Sequence, residues 1–131
     1  MEEALRLKLL AAAGIANVVT SVAWQESPDK AVEPRIVLSV ISRGREYDHD
    51  GHDGLNVTRV RIDFYTSSVT QGWALSRATI PSMETEEDRS GWHLGPAFLD
   101  ADRDFDPFDM DGGRRVYRRS QDWLLMNRQF A

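Results

Sequence analysis

Five of the six residues from Asp48 to Asp53, namely Asp48, His49, Asp50, His52 and Asp53, are carboxylates or imidazoles, the side chains that hold zinc or manganese. The chemistry on offer is that of a small metal-dependent or ligand-binding enzyme. The spacing matches neither a zinc motif nor the calcium loop that ends in a bidentate glutamate, and consecutive loop residues rarely converge on one ion. The simpler reading is a solvated turn between two strands. Asp100, Asp102, Asp104 and Asp106 form a second candidate. A calcium loop beginning at Asp102 places Asp104 and Asp106 at its third and fifth positions, but Pro107 stands where the sharp turn needs glycine and Gly113 where the glutamate belongs. A strand with an exposed face of aspartate fits better. It would face Arg114, Arg115, Arg118 and Arg119 across a hairpin, each opposite pair contributing roughly 0.2–1 kcal/mol, and its charge would discourage unwanted edge pairing.

Other catalytic arrangements lack their framing. His93 has no Gly-x-Ser-x-Gly elbow to supply a nucleophile, and Gly51, Gly54, Gly112 and Gly113 sit among turn residues, not at a strand-to-helix junction that could cradle phosphate. The tryptophans Trp24, Trp73, Trp92 and Trp123 read as core and interface filler, because the charge balance around them is acidic. No catalytic, cofactor-binding or metal-binding residue is assigned, and no cofactor is expected.

The elements that must position these residues are legible from Leu55 to Ala78. In LNVTRVRIDFYT, Val60, Ile62 and Phe64 fall on one side of a strand and Arg59, Arg61 and Asp63 on the other, giving a core face and a wet face. Ser68 stands three residues before Gln71, the spacing of a reciprocal cap at a helix start. Val69, Trp73, Ser76 and Ile80 follow at helical spacing and predict a stripe that lies on the strand. A first helix is predicted over Glu2 to Ala13, with Leu5, Leu9 and Ala12 on one face and Gly14 ending it, then a helical turn within Ile15–Val19. Strands are predicted at Val22–Trp24, Arg35–Arg43, Trp92–Leu94, Ala97–Phe108 and Arg114–Phe130, the last pair forming a hairpin that turns within Asp109–Gly113. Apolar residues on both faces of the last strand place it centrally. Gln25–Pro34 reads as a reaching loop, REYDHDGHDG as a polar turn, and METEEDRSG as an acidic connection after Pro81 stops or kinks its helix.

The expected fold is α+β, a mostly antiparallel sheet with two α-helices packed on one face, in a single domain spanning 1–131. The net charge of −5 and pI near 5.1 argue against a protein that grips nucleic acid. Without cysteine there can be no disulfide and no thiolate metal site. Acids precede the short apolar run at the N-terminus, so neither a signal peptide nor an anchor is expected, and no membrane partner. No repeat or low-complexity tract interrupts the chain.

Taken in order, MEEALRLKLLAAAGIANVV, EPRIVLSVISRGREYDHDG, LNVTRVRIDFYTSSVTQGWALSRA and RRVYRRSQDW resemble the phage tail-completion family, whose members also occur in gene transfer agents. The likeness lies in the proline before a strand that ends in arginine and an acidic glycine loop, in the strand closing Asp63-Phe64-Tyr65 before a helix, and in Val116-Tyr117-Arg118 opening the last strand. It implies a non-enzymatic virion structural protein: a tail terminator that assembles as a homohexameric ring, caps the tail tube and joins it to the head connector. Implied partners are other copies of the chain, the tail tube protein and the head-completion protein, with DNA only passing through the lumen. Implied localisation is the head-tail junction of a particle assembled in a bacterial cytoplasm. A closed ring uses a different patch for each neighbour. The candidate contacts are Arg43, Arg45, Tyr47, Asp48, Asp102, Asp104, Arg118 and Arg119.

Overall fold

The computed structural model describes residues 1–25, 33–48, 51–110 and 113–130, and of residues 45–48 and 51–53 the backbone alone. Along the chain run α1 (Glu2–Leu10), α2 (Ala13–Ala16), β1 (Ser21–Trp24), β2 (Arg35–Asp48), β3 (Gly51–Thr66), α3 (Val69–Glu84), β4 (Glu87–Arg89), β5 (Trp92–Asp104), β6 (Phe108–Met110) and β7 (Arg114–Gln129). The alternation of β3 organises them. Val60, Ile62 and Phe64 are all fully buried and share one core with Leu5 and Leu9 of α1, Leu75 and Met83 of α3, and Trp123 and Leu125 of β7. The fold is α+β, as the pattern predicts, with a third short helix, α2.

The strands form one sheet in the order β1-β2-β3-β7-β5-β4, and β6 pairs with the start of β7. Only β1–β2 is parallel; the other pairs are antiparallel. β7 is central, as its two apolar faces predict. It lies between β3, with Val60 opposite Trp123, and β5, with Ala97 opposite Leu125.

Several boundaries differ from expectation, each for a local reason. α1 ends at Leu10, and Gly14 lies inside α2 instead of ending a helix. A Cβ on Gly14 would stand 3.3 Å from the Ala78 Cβ, so the glycine lets α2 close on α3. The polar stretch REYDHDGHDG is mostly strand: β2 and β3 continue through it as one long hairpin, with Tyr47 opposite His52 and Asp48 opposite Gly51. Ladder hydrogen bonds hold polar strands as well as apolar ones. Residues 26–32 of the expected reaching loop lie outside the described residues.

α3 is capped as predicted, the Gln71 amide donating to Ser68 Oγ at 3.2 Å. The return arm reaches one residue further back, where Gln71 Oε1 accepts from the Ser67 amide and hydroxyl, both at 3.3 Å. Its buried stripe is Gly72, Leu75, Ser76, Thr79 and Met83, not the predicted line through Val69 and Trp73, which stand 39% and 42% exposed. Ser76 is buried as predicted, its hydroxyl donating to the Trp73 carbonyl, but Thr79 takes the place given to Ile80 because its hydroxyl is likewise satisfied within the helix, donating to the Leu75 carbonyl. Pro81 does not stop the helix, which continues to Glu84. Fully buried Thr79 and Met83 hold the last turn in place, and Thr85 closes it by donating from its amide and hydroxyl to the Pro81 carbonyl. The acidic connection supplies the end of α3 and then β4. The strand predicted at Trp92–Leu94 and most of that predicted at Ala97–Phe108 are the single strand β5, which ends at Asp104 before Phe108 opens β6 and whose register shifts between Leu94 and Ala97. Gly95 sits there at φ +111°, where a Cβ would stand 2.9 Å from Glu86 Cγ.

Candidate functional site

The side of the sheet away from the helices is ionic. Strand alternation puts Arg59, Arg61, Asp63 and Tyr65 of β3 on this side, and the register sets them beside Leu124, Asp122, Ser120 and Arg118 of β7. Asp122 lies between two guanidinium groups: Arg61 Nε donates to Oδ1 at 2.9 Å, and Arg103 donates to Oδ2 at 3.2 Å. The Arg61 hydrogen bond holds the Asp122 carboxyl below the usual carboxylate range against the opposing effect of burial, and Arg103 adds to it. Asp63 accepts from Arg118 Nε at 3.1 Å and from Ser120 Oγ at 2.7 Å. Arg59 pairs with Asp100 at the border with β5.

This face was expected to be wet, yet Asp63 is 5% and Asp122 8% exposed. Among the described residues no helix covers them. Arginine stems lie across the strands and roof the carboxylates, their hydrocarbon excluding water while the charged ends pair. Aromatic rings extend the roof at one end of the sheet: Arg118 lies 4.2 Å from the Phe105 ring centroid, Arg35 lies 4.2 Å from that of Tyr65, and Tyr65 meets Phe108 edge to face.

The aspartates of β5 do not form one exposed face. A register shift between Leu99 and Ala101 turns Asp100 to the ionic side, while Asp102 and Asp104 point to the helix side. There both pair with Arg119, at 2.9 and 2.8 Å, and Arg119 also donates to Ser76 Oγ of α3 at 2.9 Å. Trp73 Nε1 donates to Asp104 as well, at 3.3 Å. The other arginines expected opposite the aspartates are used elsewhere: Arg114 reaches Glu33, Arg115 reaches Asp109 and Arg118 reaches Asp63. A lysine at position 102 or 104 would therefore face Arg119.

Of the candidate contacts, Asp102, Asp104 and Arg119 are brought together. Arg118 lies one residue away, on the opposite face. Arg43 is remote from them, more than half exposed and paired with Glu2. Burial, the largest single influence, would raise the Glu2 pKa, but the Arg43 hydrogen bond together with the backbone hydrogen bond and the charges of Arg43 and the N-terminus leaves that carboxyl below its ordinary value. Arg45, Tyr47 and Asp48 lie on the far arm of the β2–β3 hairpin, by backbone register opposite Asn56, His52 and Gly51. Asp63, Arg61, Asp122, Arg103 and Arg59 were missed as a group. Their signal was present, since Arg118, Ser120 and Asp122 share the parity in β7 that Arg59, Arg61 and Asp63 share in β3, but only the register shows that the two sets meet.

The catalytic alternatives gain no geometry. His49 and Asp50 of the metal candidate lie outside the described residues, as do the side chains of Asp48, His52 and Asp53. Among the described residues no three metal-ligating side chains converge. His93 sits on the β4–β5 edge between two carboxylates, Asp88 at 2.6 Å and Glu86 at 3.2 Å, which raise its pKa and favour the charged ring. The best-formed concavity, between the first turn of α3 and Phe105, Arg118 and Arg119, measures about 140 Å³, well below the ~300–1,000 Å³ of small-molecule sites. Two further clefts of about 340 and 330 Å³ reach only the bottom of that range, and the Lys8 ammonium in the larger is already bonded to the carbonyls of Met83 and Thr85. Among the described residues no helix is long and apolar enough to cross a membrane.

No family model matches the chain, and no curated protein matches it. Among solved structures, the fold is similar to that of a chain in the virion of a native gene transfer agent particle, with a TM-score of 0.59 and 14% identity. The alignment covers 100% of this chain and 95% of that one. At this identity the likeness is one of fold.

Proposed function

We propose that this chain is a structural subunit of a phage-like particle, and within it a tail terminator: a ring of identical copies that caps the tail tube and joins it to the head connector. The observation that carries the reading is the fold likeness to a gene transfer agent virion chain over 100% of this chain and 95% of that one. Fold alone does not give function. The ionic sheet face supports the reading, because charges already paired with one another across three strands suit a docking surface better than a reaction site. In this reading Arg43, Arg45, Tyr47, Asp48, Asp102, Asp104, Arg118 and Arg119 lie at or beside contacts with neighbouring copies, the tube protein or the head-completion protein. The chain carries out no catalysis, and the surplus of negative charge, −5 per copy, lets DNA pass without sticking.

Electron microscopy of particles from cells with and without the gene tests this. The expected result is tails of normal length joined to heads only when the protein is present, with the tagged protein at the junction. Normal joined particles in its absence would refute the terminator role, and a tagged protein absent from purified particles would refute the virion role as well.

A further inference from the structure

The β4–β5 hairpin is held together in two places. Its turn residues, Ser90 and Gly91, have φ of +52° and +82°, the positive pair that a two-residue type I′ turn requires. Further from the turn, His93 of β5 lies between two carboxylates. Nδ1 stands 2.6 Å from Asp88 Oδ1 and Nε2 stands 3.2 Å from Glu86 Oε1. β4 covers the outer side of β5 at Trp92–Leu94, and beyond Leu94, among the described residues, no strand covers it.

An ionised carboxylate only accepts hydrogen bonds, and a neutral imidazole carries a single N–H. Both contacts of His93 can therefore be hydrogen bonds only while the ring is protonated. Loss of the proton leaves a ring lone pair facing one of the carboxylates. The longer contact, to Glu86, is the one given up, because Asp88 is fixed directly opposite His93 in the ladder while Glu86 reaches in from outside β4. Glu86 also packs over Gly95, where the register of β5 shifts; a Cβ on Gly95 would stand 2.9 Å from Glu86 Cγ. The carboxylate that the neutral ring releases thus belongs to the residue that closes the hairpin onto the shift.

We propose that β4 is a strap fastened by a proton: the charged His93 ring ties Asp88 and Glu86 to β5, and the neutral ring lets Glu86 go, so that β4 opens more often and bares the edge of β5 from Trp92 onward. An unpaired edge is a template for another strand, so the proton sets how much of that template is offered. This holds whether or not the chain forms a ring. Charged groups on each neighbouring element bear on the proton. Arg128 of β7 lies opposite His93 in register and favours the neutral ring, but the hydrogen bonds to Asp88 and then Glu86 prevail and lift the pKa above its ordinary value. Glu87 and Arg89 of β4 pair with each other at 2.6 Å, and Lys8 of α1 bonds to the carbonyls of Met83 and Thr85 just ahead of the strap.

NMR of the full chain reads both halves of this. The His93 ring, assigned with the His93→Gln variant, should titrate above about 6.5 and keep its remaining proton on Nδ1 once neutral. Hydrogen exchange of the Glu87–Arg89 amides, corrected for its intrinsic pH dependence, should quicken about two- to threefold between about pH 5.5 and 8.5, a small factor because the ring is 41% exposed and its pairs are screened. Amides in the middle of β7 should not change. In Glu86→Gln the new amide can accept from the charged ring or donate to the neutral one, so the strap should hold equally at both ends of that range. A ring that titrates at or below about 6.5, a neutral ring protonated on Nε2, β4 exchange that does not respond to pH, or a response that persists in Glu86→Gln would each overturn the strap.

Discussion

The same two strands, β3 and β7, present opposite solutions on their two faces. On the helix side Val60, Ile62, Phe64, Trp123 and Leu125 are closed off completely under α1 and α3. On the other side many alternate residues of the same strands are charged, and Asp63 and Asp122 are nearly as inaccessible with no helix among the described residues over them. Burial by a second layer is driven by apolar area, at roughly 25 cal/mol per Å². Burial by salt-bridged arginines returns little net stability, because desolvation of the ions offsets their attraction. The ionic face therefore specifies register and surface, while the helix face supplies the stability.

The largest test of that division is Phe64→Ala, which should cost about 3–5 kcal/mol in denaturant unfolding; a loss under about 1 kcal/mol would mean that the helix side is not the core. On the ionic face, Asp63→Ala leaves Arg118 and Ser120 without their acceptor and should cost about 1–3 kcal/mol. Replacing all three at once, with Asp63→Val, Ser120→Ala and Arg118→Met, should recover most of that loss. If the triple variant remained as unstable as the single one, the charges would contribute stability directly, and the contrast between the faces would fail.

Acid offers a smaller effect. The folded Asp122 carboxyl titrates below its unfolded value of about 3.9, so its pairing stabilises the fold above that pH and is lost as pH falls through the lower, folded value. Asp122→Asn should flatten the acid limb of the stability curve, measured by melting temperature. His93 has the opposite sign and the smallest magnitude. Its raised pKa means that its clamp on Asp88 and Glu86 is complete below about pH 6.5 and weakens as pH rises through the raised value. The ring is 41% exposed, so solvent screens the pair and the effect amounts to tenths of a kcal/mol. His93→Gln should remove the slope between neutral and alkaline pH, and an unchanged slope would show that another group titrates.

Much of this architecture was legible in the residues. Alternation in β3 gave its core side, the Ser68–Gln71 spacing gave the start of α3, and apolar residues on both faces of β7 gave its central place. What stayed hidden depended on distant partners. α3 is turned about one residue from its apolar reading, because Gly72 and Thr79, whose hydroxyl bonds within the helix, bury in place of Trp73 and Ile80, and no local pattern shows which threonine will do so. The polar arm of the β2–β3 hairpin reads as a turn because ladder hydrogen bonds carry no side-chain signature. The ion pairs were harder still: the correct types were visible, but Arg119 takes Asp102 and Asp104 while Arg118, its neighbour, takes Asp63 across the sheet. Pairing follows register and face, which one strand does not contain.

The placement of β7 between β3 and β5 also bears on synthesis. It is made after both of the strands it separates, so a ribosome stalled before Arg114 releases two half-sheets with no strand to join them and with Val60, Ile62 and Phe64 lacking their Trp123 and Leu125 neighbours. Such a fragment is a substrate for proteases and aggregation, not a half-competent building block.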